Sequence, residues 1–250
     1  MSENSGGRLR VATYNVHSCR GMDRRRSEQR IAEVIAALDV DVIGLQELDL
    51  NRRRSARVDQ VALIADQLGW HRFFHPAFRA ADEFFGDAIL SRYPMRLRQA
   101  KELPSVTTRV CPERRAAIWM EVEIPGGKVQ VINTHLGLGR RERLMQTQLL
   151  AGAEWLGSVE PGDPLILLGD FNSLPGSPPF ELLARQLRDT RTLVDPSPRL
   201  RTFPTRLPSL AVDHIFVNDK FRVDSVAVVR NAGTRIASDH FPVVADLRRA

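Results

Sequence analysis

The hydrophobic pattern divides this chain into strands and amphipathic helices from end to end, and polar residues collect where the apolar runs stop. Residues 165–168 are four successive aliphatics after Pro164, which predicts a strand covered on both faces. Gly169-Asp170-Phe171-Asn172 follows where that strand must surface. Asp170 and Asn172 are separated by one residue, so on an extended backbone both side chains point into one shared site. Residues 9–16 predict an earlier strand with Asn15 near its end, behind a disordered leader over residues 1–8. Ser27 is placed to cap a helix whose Ile31, Val34, Ile35 and Leu38 form a single stripe. Residues 42–45 form a short buried strand ending in Gln46-Glu47, at the sheet edge where α/β sites are assembled.

Residues 58–68 predict a second helix with Gly69 as its C-cap. The aromatic stretch 70–85 reads as irregular, and 86–94 holds a short strand closed by Pro94. Residues 116–124 and 128–134 flank Pro125-Gly126-Gly127, the mark of an antiparallel hairpin, so the sheet is mixed. Its second arm carries His135 to the rim. Residues 140–156 predict the longest helix, with Met145 as core filling, and 180–187 a short one after a rigid loop over 175–179. Residues 189–209, rich in Pro, Arg and Thr, predict a long functional or mobile loop. Strands are expected over 212–217, starting with Asp213, over 223–229, and after Ser238-Asp239-His240.

At 250 residues, with 43% hydrophobic and 26% charged positions, the chain fits one α/β domain over residues 9–250 with no linker. The net charge of +6 favours a polyanionic partner. Nearly all of the basic residues are arginine, a skew that base composition alone produces, so the charge weighs little. The runs Arg24-Arg25-Arg26 and Arg52-Arg53-Arg54 read as solvated loops, with phosphate contact as the alternative. Cys19 and Cys111 make no disulfide framework, and no Cys/His spacing suits zinc. No stretch resembles a signal peptide or approaches membrane-spanning length, so a cytoplasmic protein is expected, with peripheral membrane association as the alternative. No protein partner is implied.

The strand-end polar residues are Asn15, Glu47, His135, Asp170, Asn172, Asp213, Asp239 and His240. Oxygen ligands outnumber nitrogen and thiols are absent, which suits a hard divalent cation, Mg²⁺ or Mn²⁺. Two histidines beside such an ion fit phosphoryl chemistry, one taking a proton from water or stabilising charge on the phosphoryl oxygens. Asp beside His also permits a pair in which the acid fixes the imidazole tautomer. A serine-hydrolase reading lacks its Gly-x-Ser-x-Gly nucleophile, and residues 137–139 are a turn without a dinucleotide fingerprint.

Tyr14-Asn15, Gln46-Glu47, Asn133-Thr134-His135-Leu136, Gly169-Asp170-Phe171-Asn172, Asp213-His214-Ile215 and Ser238-Asp239-His240 stand in the order and spacing of the endonuclease/exonuclease/phosphatase superfamily. The chain resembles that superfamily over residues 9–247. The resemblance implies a four-layer α/β sandwich, two mixed β-sheets packed face to face with flanking helices, and metal-dependent hydrolysis of phosphoesters by water without a covalent intermediate. Carried over, Glu47 resembles the principal metal ligand, with Asn15 beside it and Asp239 at the metal or its water shell. Asp170 resembles the residue that orients or deprotonates the attacking water, while Asn172 helps to hold the phosphate. His135 and His240 resemble the histidines flanking that phosphate, and Asp213 the acid orienting His240. Arg114 or Arg115 fills the place of a phosphate-binding arginine.

The substrate stays open between nucleic acid and a phospholipid or inositol phosphate. Phe73, Phe74, Phe78, Phe84 and Phe85 are core or loop packing, or line the mouth for a lipid. A different class of function is a non-catalytic module that binds nucleic acid or anionic lipid on the same fold.

Overall fold

The computed structural model describes residues 7–106, 114–194 and 201–250. Strands β1 (Arg8–Asn15), β2 (Val42–Leu50), β3 (His71–Ala80) and β4 (Glu83–Ser91) enter one sheet. Strands β5 (Met95–Glu102), β6 (Ala116–Ile124), β7 (Gly127–His135), β8 (Leu165–Asp170), β9 (Arg188–Asp189) and β10 (Asp213–Val217) build a second. β11 (Phe221–Val228) and β12 (Val243–Arg249) return to the first. The spatial orders are β11-β12-β1-β2-β4-β3 and β5-β6-β7-β8-β10-β9. Helices α1 (Glu28–Leu38), α2 (Gln60–Leu68), α3 (Arg140–Leu150), α4 (Pro178–Ala184) and α5 (Ala232–Ala237) flank them.

Alternation along the strands sorts the core into layers. Val11, Val42 and Ile89 of the first sheet pack against Ile118, Val131, Ile166 and Leu168 of the second. Their neighbours Ala12, Tyr14, Ile43 and Leu45 face outward onto Ile31, Ile35 and Ile64 of α1 and α2. On the far side Ile132, Leu167 and Phe216 meet Leu150, Trp155, Phe180 and Leu183. The result is the expected sandwich of two mixed sheets between helices. Asn133, buried between the sheets, donates to the carbonyls of Leu45 and Ala88 and accepts from Gln46 Nε2 at 2.7 Å. A polar staple therefore fixes the register of one sheet against the other.

Each sheet holds one parallel pair, β1 with β2 and β7 with β8. Parallel neighbours end on the same side, so Asn15 finishes beside Gln46, and His135 beside Asp170. β10 runs antiparallel to β8 with its first residue, Asp213, opposite Asp170.

Several expectations need correction. Residues 70–85 are the β3–β4 hairpin; β3 is an edge strand that buries little beyond Ala77 and is interrupted by a bulge near Pro76, so no period is visible. β5 escaped for the same reason, being a polar edge strand. β2 continues to Leu50 past a bulge in which Glu47 takes a left-handed φ of 63°. α3 stops at Leu150, and Met145 is exposed at its surface while Gln146, Thr147 and Leu150 face inward. β1 begins at Arg8, inside the expected leader; residues 1–6 lie outside the described residues, as does Cys111.

Gly169 has φ 151°, and a Cβ there would lie 1.9 Å from the carbonyl oxygen of Thr134 on the neighbouring strand. At Gly44 the added carbon would meet Leu168 Cδ1 at 2.2 Å and Asn133 Oδ1 at 2.7 Å, both side-chain atoms. Gly169→Ala is expected to lose about 4 kcal/mol or more, and Gly44→Ala about 1–3 kcal/mol because side chains can shift. Urea unfolding midpoints check the ranking; a larger loss at Gly44 would contradict the close backbone approach.

Candidate active site

The carboxyl ends of β1, β7 and β8, the bulge of β2 and the amino end of β10 meet at one edge of the sandwich. Asp170, buried, is their common point. Its Oδ2 accepts from Asn15 Nδ2 at 3.0 Å and lies 3.4 Å from His135 Nε2 and 3.7 Å from His240 Nε2. Its Oδ1 accepts from the Asn172 backbone N–H at 2.9 Å. The same Asn15 amide donates to Glu47 Oε1 at 3.0 Å, so one side chain ties together the acids of the two sheets. His240 Nδ1 sits 2.9 Å from Asp213 Oδ2, and the ring of Phe203 packs against it at a tilt of 38° with centroids 4.7 Å apart.

The two histidines are pushed in opposite directions. His135 is buried, and that burial, with Arg115 and His240 nearby, holds its pKa well below the usual range. Arg115 Nη1 lies 3.1 Å from His135 Nδ1. A guanidinium only donates, so Nδ1 accepts and the ring proton sits on Nε2, toward Asp170. For His240 burial works against the charge, yet Asp213 and Asp170 outweigh it and push the imidazole up to about 10. Asp170 itself is raised to about 7 by burial and by Asp213, against the pull of His240 and two hydrogen bonds.

Glu47 is half-buried and opens into a cleft of about 160 Å³ shared with His17, Ser18, Arg20, Arg26, Arg54 and Phe85. Asp239 stands at the rim, 3.6 Å from His17 Nδ1. Asp170, Asp213 and His240 form a compact group of acids and imidazole whose ligand atoms lie within 4.8 Å of one another. That trio suits a cation poorly, because a protonated His240 offers no lone pair. Glu47 and Asp239 are the oxygen donors that fit a hard ion. Asn15 turns its N–H₂ toward the carboxylates while its Oδ1 accepts from the His17 backbone at 3.1 Å.

The expected site residues therefore converge, with two corrections. Asn172 reaches the site through a left-handed turn (φ 47°) rather than by strand alternation, donating from Nδ2 to the Leu136 carbonyl and lying 3.1 Å from His135 Nε2. Of the two arginines, Arg114 is exposed and paired with Glu102 at 2.9 Å, whereas Arg115 is buried against His135. His214 faces the other side of β10, where Arg191 contacts its Nδ1 and its Nε2 donates to the Ser173 carbonyl at 2.7 Å, supporting the loop that carries Asn172. Of the five phenylalanines, Phe73 and Phe74 pack against the core clusters and Phe85 lines the cleft under Arg54.

Hydrophobic periodicity does not single out Asp87. It is buried in β4, pushed up to about 7 mainly by burial, and accepts from the Glu47 N–H at 3.3 Å. An acid inside the aliphatic run Gly86-Asp87-Ala88-Ile89-Leu90 was the available signal. Phe203 had none, since it reaches His240 from a loop distant in sequence.

The comparisons agree with this fold. The protein YbhP of Escherichia coli (strain K12) is 27% identical over 253 residues, covering 96% of each chain. An inositol phosphosphingolipids phospholipase C of Schizosaccharomyces pombe is 28% identical over 214 residues, which are 73% of this chain and 45% of that protein. The solved endonuclease/exonuclease/phosphatase of Beutenbergia cavernae superposes with a TM-score of 0.79 at 25% identity, over 97% of this chain and 72% of that one. A family model describing the Endonuclease/Exonuclease/phosphatase family matches residues 12–240, and on that match, with the sandwich and its converging strand ends, the chain belongs to this family of phosphoesterases.

Proposed function

We propose that the protein hydrolyses phosphoester bonds with the help of a divalent cation, water attacking phosphorus without a covalent intermediate. The observation that carries this reading is the buried Asp170 carboxylate held between a neutral and a charged histidine. With its pKa near neutrality, Asp170 is suited to orient a water and accept its proton. The His240 imidazolium, oriented by Asp213, donates to a phosphoryl oxygen as charge builds there. His135, positioned by Arg115, offers a second donor from Nε2. The Asn172 amide beside it helps to hold the phosphate. Mg²⁺, or Mn²⁺ in its place, held by Glu47 and Asp239 next to Asn15, supplies polarisation of the phosphate when bound.

The similarity to a phospholipase C named for inositol phosphosphingolipids supports an inositol-phosphate headgroup over nucleic acid. Cytoplasmic action, with peripheral contact to an anionic membrane as the alternative, belongs to the same proposal. Among the described residues no helix is long and apolar enough to cross a membrane.

Asp170→Asn or His240→Ala is expected to lower turnover of a chromogenic phosphodiester by about 10²–10⁴-fold while circular dichroism stays native. EDTA should silence the wild-type protein and Mg²⁺ restore it. Near-normal turnover in both variants, or activity indifferent to chelation, would reject the reading; tight binding of phosphoesters without turnover would favour a non-catalytic module. A nuclease would instead show affinity for DNA or RNA that falls steeply with salt.

The pH profile supplies a second test. Asp170 acts as the carboxylate, so kcat/KM should rise with pH through about 7. His240 acts as the imidazolium, so the rate should fall again near 10. In Asp213→Asn the imidazolium loses its nearest carboxylate, and the alkaline limb should move down by about 1–3 pH units. An alkaline limb unmoved in that variant would refute the assigned role of Asp213.

A further inference from the structure

The proposed reaction leaves both arginine runs without a task, yet the fold sends the last member of each into one place. Arg26 and Arg54 line the cleft beside Glu47, together with Arg20. Arg20 and Arg26 are antiparallel bridge partners, held so by a turn in which the Gly21 N–H donates to the Arg25 carbonyl at 2.9 Å. Like charges placed directly opposite cost free energy unless an anion lies between them. Among the described residues neither Arg20 nor Arg26 forms an ion pair, whereas Arg30 of the same region is matched by Asp23.

Arg54 is rigidly aimed. Its Nε and Nη2 hold the buried Asp49 at 2.8 and 2.7 Å, and Nη2 also donates to Ser18 Oγ at 3.0 Å. The acids around the cleft are largely committed. Asp49 is taken by Arg54, with Arg52 at 3.9 Å, and Asp239 faces His17. Glu47 remains as the carboxylate in the wall, against the guanidinium groups of Arg20 and Arg26, with Arg54 beside them held to Asp49. The volume of about 160 Å³ falls well below the roughly 300–1,000 Å³ that encloses a whole drug-sized ligand. It suits one compact anionic group.

We propose that this cleft is a subsite for a second, uncleaved phosphate of the substrate, seated on Arg20, Arg26 and Arg54 next to the bond that is hydrolysed. The inference rests on the hydrolase reading and narrows it to molecules bearing two neighbouring phosphates, such as a doubly phosphorylated ring. Planar guanidinium forks match phosphate oxygens in pairs, and those of Arg20 and Arg26, with the edge of Arg54 that Asp49 leaves, favour a dianionic monoester. A nucleic-acid strand presents phosphates in series and calls for a basic groove that tracks the backbone; a small cup takes one.

Two measurements test it. With EDTA present, inorganic phosphate is titrated calorimetrically into the wild type, Arg20→Gln/Arg26→Gln, and the charge-matched Arg24→Gln/Arg53→Gln, whose side chains lie outside the cleft. The cleft variant should bind about 10- to 100-fold more weakly than the other two. With Mg²⁺, the kcat/KM ratio for a soluble inositol bisphosphate over an inositol monophosphate should fall by a similar factor in the cleft variant alone. Equal phosphate binding in all three proteins, or a ratio that drops equally in the charge-matched control, overturns the subsite. Affinity that keeps growing with each added phosphate of an oligonucleotide also overturns it, in favour of a nucleic-acid track. Phosphate binding lost only in the cleft variant, with no turnover by the wild type of these substrates or of the chromogenic phosphodiester, supports the anion site and sinks the hydrolase reading.

Discussion

A carboxylate kept out of water must be given partners, and Asp170 takes its partners from both sheets. Asn15 donates to it from β1, the Asn172 backbone from its own turn, and two imidazoles close over it from β7 and from the segment before β12. Because Asn15 also holds Glu47, any slip of one sheet against the other would separate the acids and strand a buried charge, which costs several kcal/mol. The Gln46–Asn133 staple, one layer deeper, resists that slip. The site is thus built into the seam of the sandwich, and the rigidity of the seam is what keeps an unsolvated carboxylate in place.

The same geometry explains why two histidines on one carboxylate behave differently. His135 has a cation, Arg115, behind it, and His240 has an anion, Asp213. Each neighbour sits on the Nδ1 side, away from Asp170, and so sets the charge presented at Nε2 without occupying the reaction space. Charge is assigned from the back of each ring, which leaves the front of the site for phosphate and water.

Much of this was legible in the sequence because the relevant strands are central. β1, β7 and β8 are buried on both faces, so their aliphatic runs are plain and their polar ends stand out; Asp170, His135 and Asn15 fell where expected. Illegible features share a different cause. β3 and β5 are edge strands whose residues are mostly exposed or only partly buried, and no period marks them. The Glu47 bulge and the Asn172 turn depend on left-handed backbone that side-chain patterning does not encode. Asp87 and Phe203 acquire meaning only through contacts with strands far away in the chain. The arginine runs read as solvated loops because the cleft that brings Arg26 and Arg54 together is a tertiary fact.

The site and its scaffold titrate in opposite senses. Asp170 and His240 both have raised values, from 3.8 to about 7 and from 6.5 to about 10. The stability each contributes is complete below the ordinary value and is lost as pH rises through the raised one. Glu121 on β6 runs the other way: hydrogen bonds from Gln130, Lys128 and Arg96 pull it down to about 2, so its contribution is present above the ordinary value and lost as pH falls through the lowered one. At neutral pH Glu121 therefore holds its full charge-assisted contribution, while the Asp170 carboxylate sits in a place that resists ionisation. In the proposed reaction a base poised in that way is reactive because the surrounding fold prevents it from relaxing toward water, and relief comes when positive charge or a proton arrives. The two events that supply this relief are cation binding and proton abstraction from water, the same two that the proposed reaction requires.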